Sequence, residues 1–205
     1  MRSTELKSLL TLGFLALTWG SSYILIKKSL VAFSPEQVAA LRITISAIAF
    51  LPFLLARIKR IDWSKWRFFL VVGLAGSGLP AILFAVAQTH LTSSFTGILS
   101  SLTPLFTLLL GISFFGVPFY WNKLVGVMIG LAGAFLLIVV DSQSGPLGTQ
   151  SSFFYGFLVV LATALYALSS NTVKTYLGHL DSITISAAAF FLIGPMGISL
   201  LATTD

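Results

Sequence analysis

The sequence predicts an all-α integral membrane protein, a polytopic helix bundle of about seven transmembrane helices with its N-terminus in the cytoplasm. Three observations carry that expectation. Of 205 residues, 57% are hydrophobic and 9% charged, with a mean hydropathy of +0.99. A soluble domain carries about 25% charged residues because its surface faces water, so much of this surface must face lipid. Secondly, uncharged stretches reach the length of about 20 residues that a helix needs to cross a bilayer. Thirdly, the basic residues fall unevenly about those stretches, which sets the orientation.

The elements follow in order. Nineteen uncharged residues between Lys7 and Lys27 predict a helix over about 8–27. Arg2 and Lys7 precede it as in a signal peptide, but the run is too long for a typical h-region and has no A-x-A-like cleavage site. A second helix is expected over 36–56. From Phe68 to Asn122 no Asp, Glu, Lys or Arg occurs, leaving room for helices over 68–88 and 92–116 around a Thr89-His90-Leu91 turn. Further uncharged runs predict helices over 123–140, 153–174 and 183–203. The ten-residue alternation of barrel strands is not visible.

With the N-terminus inside, the cytoplasmic side collects Arg2, Lys7, Arg57, Lys59, Arg60, Lys65, Arg67, Lys123 and Lys174, and the outer side only Lys27 and Lys28. The net charge of +6 thus reports topology and gives no support for a nucleic-acid partner. Trp63, Trp66, Tyr120, Trp121 and Tyr176 sit near expected helix ends, where rings favour the headgroup layer. The chain has no cysteine, hence no disulfide or thiolate metal site.

An internal echo links the two ends of the chain. "ALTWGSS" at 16–22 and "ALYALSS" at 164–170 share A-L-x-x-x-S-S. Five helices separate their starting points, so the second copy runs upside down, as in transporters built from inverted repeats. The segments "LALTWGSSYILIKKSL…SPEQVAALRITISA", "AVAQTHLTSSFTGILSSLTPLFTLLLGISFFG" and "KLVGVMIGLAGAFLLI" resemble the EamA-type branch of the drug/metabolite transporter superfamily. That resemblance implies ten helices in two inverted five-helix repeats. It divides this chain into a first repeat over 1–140, an extracytoplasmic loop over 141–152, and the first two helices of a second, incomplete repeat over 153–205.

Trp19, Ser22 and Tyr23 stand at i, i+3 and i+4 on one helical face, and Tyr166, Ser169 and Ser170 repeat that arrangement. Lipid offers their polar groups no partners, so these faces are expected to hold substrate between helices one and six. For each serine the alternative is close helix packing or a bond back to its own backbone. Gln88 and Asn171 are further cavity candidates; the alternatives are a solvated helix end for Gln88 and an interfacial position for Asn171. His90 reads as a wet turn residue. Pro104 leaves the Ser100 carbonyl without its usual donor, with Ser100, Ser101 and Thr103 nearby to restore bonding, so it marks a fixed kink or a hinge. Arg42, six residues after Glu36, is expected to snorkel to the outer surface. Gly126 and Gly130, continued by Ala134, and Gly97 with Ser101 read as helix-packing seams. "GSGLPA" at 76–81 is no nucleotide loop, because no strand precedes it and no acid follows about twenty residues later.

Glu36, Asp62, Asp141 and Asp181 fall at expected helix ends or loops, which leaves no carboxylate at membrane depth. A proton relay or cation site usually needs one, so a neutral or zwitterionic substrate is favoured. No nucleophile–base pair or metal-ligand spacing appears; no catalytic residue, metal or cofactor is expected, and the chain does not read as an enzyme. Its expected partners are the lipid bilayer and a small-molecule substrate. The expected function is export of amino-acid-like metabolites or drugs by alternating access, in the cell membrane of a prokaryote. The alternative is a non-transporting fragment that needs further helices or a partner. On either view the isolated chain is expected not to transport, and a homodimer would supply an opposing wall.

Overall fold

A computed structural model describes residues 3–119, 121–122, 124–129, 132–133 and 149–204. The described residues form α1 (Ser3–Ser29), α2 (Pro35–Arg57), α3 (Trp66–Gly73), α4 (Leu79–His90), α5 (Ser93–Ser100), α6 (Thr103–Phe114), α7 (Thr149–Thr172) and α8 (Ser182–Thr203), with no strand among them. A π-helical turn, Leu74–Gly78, joins α3 to α4, and a second, Val173–Leu177, extends α7. Six segments are long and apolar enough to cross a membrane: Glu5–Ser29, Pro35–Arg60, Trp63–His90, Ser93–Phe114, Phe153–Leu177 and Ser182–Thr203. They match six of the seven expected helices. The other, expected over 123–140, is helical over 124–129. Tyr120, Lys123, Gly130 and Ala134 lie outside the described residues, as do Arg2, Asp141 and most of the 141–152 loop.

Caps fix where the helices start. The Ser34 hydroxyl accepts from the Gln37 N–H at 3.2 Å, and the Gln37 side chain accepts from the Ser34 N–H at 3.0 Å. This capping box satisfies two backbone donors, and Pro35 presets the first turn. Thr92 caps α5 through the Phe95 N–H, and Asp181 caps α8 through the Thr184 N–H. The fourth span breaks at Ser101 and Leu102, where Pro104 cannot donate. Here the Thr103 hydroxyl donates to the Ser100 carbonyl at 2.8 Å, supplying the bond that proline removes.

The most extensive interface lies between α2 and α8, which run antiparallel. Arg57 at the end of α2 forms an ion pair with Asp181 at the start of α8, and at the opposite end Gln37 donates to the Thr204 carbonyl. Small residues allow the contact. Gly194 packs on Ala47, and a Cβ at Gly197 would stand 2.8 Å from Ile43. The sequence placed its packing seams elsewhere. Gly97 does meet the ring of Tyr23, but Ser101 is exposed and bonds back to Ile98, and Gly126 has nothing within 4 Å of where a Cβ would be among the described residues. The runs Ala39-Ala40 and Ala187-Ala188-Ala189, with Ala47, carried the missed signal: all but Ala47 are buried along α2 and α8.

Buried apolar clusters occupy both ends and the middle. Leu54, Ile61, Phe69, Leu177 and Ile185 fill the end near Arg57; Ala39, Ile43, Ala81 and Ile193 join α2, α4 and α8. Phe84, Ala87, Leu91, Leu99, Val159 and Ala162 join α4, α5 and α7 toward the other end. Lys65 donates to the Tyr176 carbonyl near the first cluster, and Lys27 to the Gln88 and Leu91 carbonyls near the last. Basic residues assigned to opposite sides by charge thus lie at opposite ends of the bundle.

Candidate substrate site

The site is built around one aromatic ring that the sequence did not single out. Phe84 on α4 is buried, with the ring of Tyr23 of α1 at 5.7 Å and that of Tyr166 of α7 stacked at 5.8 Å, centroid to centroid. Helices one and six were expected to face each other across substrate; here Tyr23 and Tyr166 both pack against Phe84 of α4. Nothing in the sequence distinguishes Phe84 from the chain's other seventeen phenylalanines, because its role depends on which helices flank α4.

The α7 face turns inward. Ser169 is buried against Gly76 of the π-turn, and its hydroxyl lies 3.5 Å from the Val72 carbonyl. Asn171 is buried, not interfacial: its amide donates at 3.0 Å to the Thr107 carbonyl of α6 and at 3.0 Å to the Ala167 carbonyl of its own helix. Ser170 is exposed. The π-turn widens the helix where α7 approaches, and such turns are frequent at functional sites.

The α1 face is more open. Trp19 is 68% exposed. Around it Thr11, Thr18, Ser21 and Ser29 bond back to carbonyls of their own helix, which meets their needs in lipid. Ser22 makes no hydrogen bond among the described residues and lines a groove of about 440 Å³ between α1 and α2, within the range of about 300–1,000 Å³ usual for small-ligand sites.

Gln88 is fully buried, which rules out the solvated helix end; neither its amide nitrogen nor its amide oxygen has a partner among the described residues. Its backbone carbonyl accepts from Lys27. An unsatisfied buried amide costs about 1–3 kcal/mol, and a site for polar ligands is one setting in which it persists. Arg42 is half-buried, and one guanidinium nitrogen, Nη1, is shut off from solvent with no partner among the described residues. His90 is exposed at the turn, stacked on Tyr155.

Residues 6–139 match the EamA-like transporter family. The chain is 27% identical over 188 residues to an uncharacterized transporter of Archaeoglobus fulgidus, covering 91% of this chain and 64% of that protein. It is 24% identical over 192 residues to the uncharacterized transporter YdfC of Bacillus subtilis, covering 91% and 60%. A WAT1-related protein of Arabidopsis thaliana is 32% identical over 114 residues, covering 50% of this chain and 32% of its own length. The chain therefore spans under two thirds of the length of these relatives. No solved structure matches it.

Proposed function

The chain belongs to the EamA-like transporter family, and from that premise we propose that its helices form the substrate pathway of a secondary transporter exporting small, amino-acid-like metabolites or drugs across the cell membrane. The observation that carries the reading is the Tyr23–Phe84–Tyr166 row, with the unsatisfied amide of Gln88 on the next turn of α4. Aromatic faces would enclose an apolar body, and the amide would orient a polar end. The proposed repeats, 1–140 and 153–205, meet along this row, since Tyr166 belongs to the second and Tyr23 and Phe84 to the first.

Alternating access needs places that bend. The break before Pro104 and the π-turn at Leu74–Gly78 are two such places, both where regular helical bonding is interrupted. Proteoliposomes test the reading with a panel of labelled amino acids and cationic drugs. Two proteins are compared: the 205-residue chain, and the same chain fused to the part of the Archaeoglobus fulgidus relative that it does not match. Saturable, exchangeable flux through the fusion and none through the chain alone is the expected result. Flux no greater than that of empty liposomes for both, across the panel, would overturn it.

The orientation follows from the basic residues and is checked by single cysteines at Ser64 and Ser144. An impermeant thiol reagent added to intact cells should label Ser144→Cys and spare Ser64→Cys; the reverse pattern inverts the topology.

A further inference from the structure

Resting on the transport reading, we propose that Arg42 is an anion-recognising side chain at a second place on the pathway, distinct from the aromatic row, taking the carboxylate of a small organic acid or amino acid whose apolar body lies in the groove between α1 and α2. Arg42 stands seven residues into α2, about 10 Å along its axis at 1.5 Å per residue. A charge at that depth is costly without a partner, and such residues commonly mark a substrate pathway. Among the described residues Arg42 has neither an ion pair nor a hydrogen bond, and its Nη1 is shut off from solvent. The rest of the half-buried side chain opens on the groove between α1 and α2.

The groove supplies the rest of a carboxylate site. Ser22 from α1 and Ser46, one turn beyond Arg42, both line it, and neither hydroxyl is bonded within the described protein. Leu25, Leu41 and Ile45 give it an apolar wall. A guanidinium presents two parallel N–H donors that match a carboxylate, while serine hydroxyls can donate to its remaining lone pairs. The groove lining holds one cation and no second, which suits a monoanion better than a phosphate dianion. Lys27 is not available, because it is turned to the Gln88 and Leu91 carbonyls.

The test uses the 205-residue chain in phosphatidylcholine nanodiscs, with L-phenylalanine and 3-phenylpropanoate as probes and their primary amides as controls. The acids should bind saturably, and the amides about ten- to hundredfold more weakly, as expected for loss of a charge-assisted hydrogen bond. Arg42→Gln should erase the difference between acid and amide, and Arg42→Lys should restore part of it. Should Arg42→Gln fail to fold, phenylglyoxal modification of the wild type gives the answer: 3-phenylpropanoate should protect Arg42 and its amide should not. Equal binding of acid and amide, or discrimination that survives Arg42→Gln, overturns the assignment. So does protection of Arg42 by phosphatidylglycerol but not by the acids, which would make the groove a lipid-headgroup site. Flux of labelled phenylalanine through the fusion protein separates the two readings. Arg42-dependent binding without flux sinks transport and keeps the site; flux indifferent to Arg42→Gln does the opposite.

Discussion

α1 and α7 carry the same A-L-x-x-x-S-S pattern, yet their polar faces meet different surroundings. On α7, Ser169 and Asn171 are buried against the α3–α4 span and α6, and both reach carbonyls of those neighbours. On α1, Trp19 is exposed, Ser22 opens on a groove, and only Tyr23 is engaged, through Phe84 and through its carbonyl, which accepts from Ser93. A motif therefore sets which side chains share a face, while the number of neighbouring helices sets whether that face is a packing surface or an open one. In this chain α7 packs on α3, α4, α5 and α6, whereas α1 touches mainly α4 and α5.

The largest contrast should come from backbone approach. A Cβ at Gly76 would stand 2.5 Å from the Ser169 hydroxyl and 3.2 Å from its Cβ, whereas no described residue lies within 4 Å of a Cβ at Gly20. Gly76→Val should lower stability by about 1–3 kcal/mol through overpacking. Gly20→Val on α1 should stay within about 0.5 kcal/mol. Thermal melting in detergent reads both, and equal shifts would mean that the two faces are packed alike.

Side-chain bonding gives the next effect. Asn171→Ala removes the side-chain bond that ties α7 to the Thr107 carbonyl of α6, at a cost of about 1 kcal/mol, given that hydrogen bonds between membrane helices average about 0.6 kcal/mol. Ser22→Ala breaks no bond among the described residues and should leave the melting temperature where it was. A large loss from Ser22→Ala would show that its hydroxyl is a structural donor, against the ligand role given to it here.

The helices themselves were legible in the sequence, because a bilayer makes charge costly and sets a minimum length. The consequence of Pro104 was legible too, since a missing N–H is local and Thr103 is its sequence neighbour. What lay beyond reach was pairing across helices. Phe84 becomes central only once α1 and α7 flank α4. Arg42 has a depth that can be counted from Glu36, but its direction depends on the α1–α2 groove. The Gly194 and Gly197 seam was visible as small residues, yet only the fold shows that it faces α2.

A smaller stability effect is expected at Trp19. Exposed as it is, Trp19→Ala should change melting by no more than about 0.5 kcal/mol. In the fusion protein it should nonetheless reduce substrate flux, if the open α1 face belongs to the pathway. Lower folding yield with full activity in the surviving protein would make Trp19 a packing residue instead, and α1 would then resemble α7 after all.

The smallest effect concerns the starts of α2 and α8, which the proposed repeats place in equivalent positions. α2 begins on Ser34 and Gln37, neither of which titrates in the acid range, while α8 begins on Asp181. Bonds from the Thr184 hydroxyl and N–H, with Arg57 beside them, hold the Asp181 carboxyl below its usual value of 3.8. A carboxyl depressed by folding adds stability that is present above its unfolded value and disappears as pH falls through the lower folded one. The carboxyl is exposed to solvent, so its contribution is small. The melting difference between wild type and Asp181→Asn should therefore be constant near neutral pH and shrink below pH 3.8. The difference between wild type and Ser34→Ala should not change over the same range, because its cap carries no proton to gain. A pH-independent Asp181→Asn difference would mean that the carboxylate's charge contributes nothing and that the α8 cap works as the neutral one does.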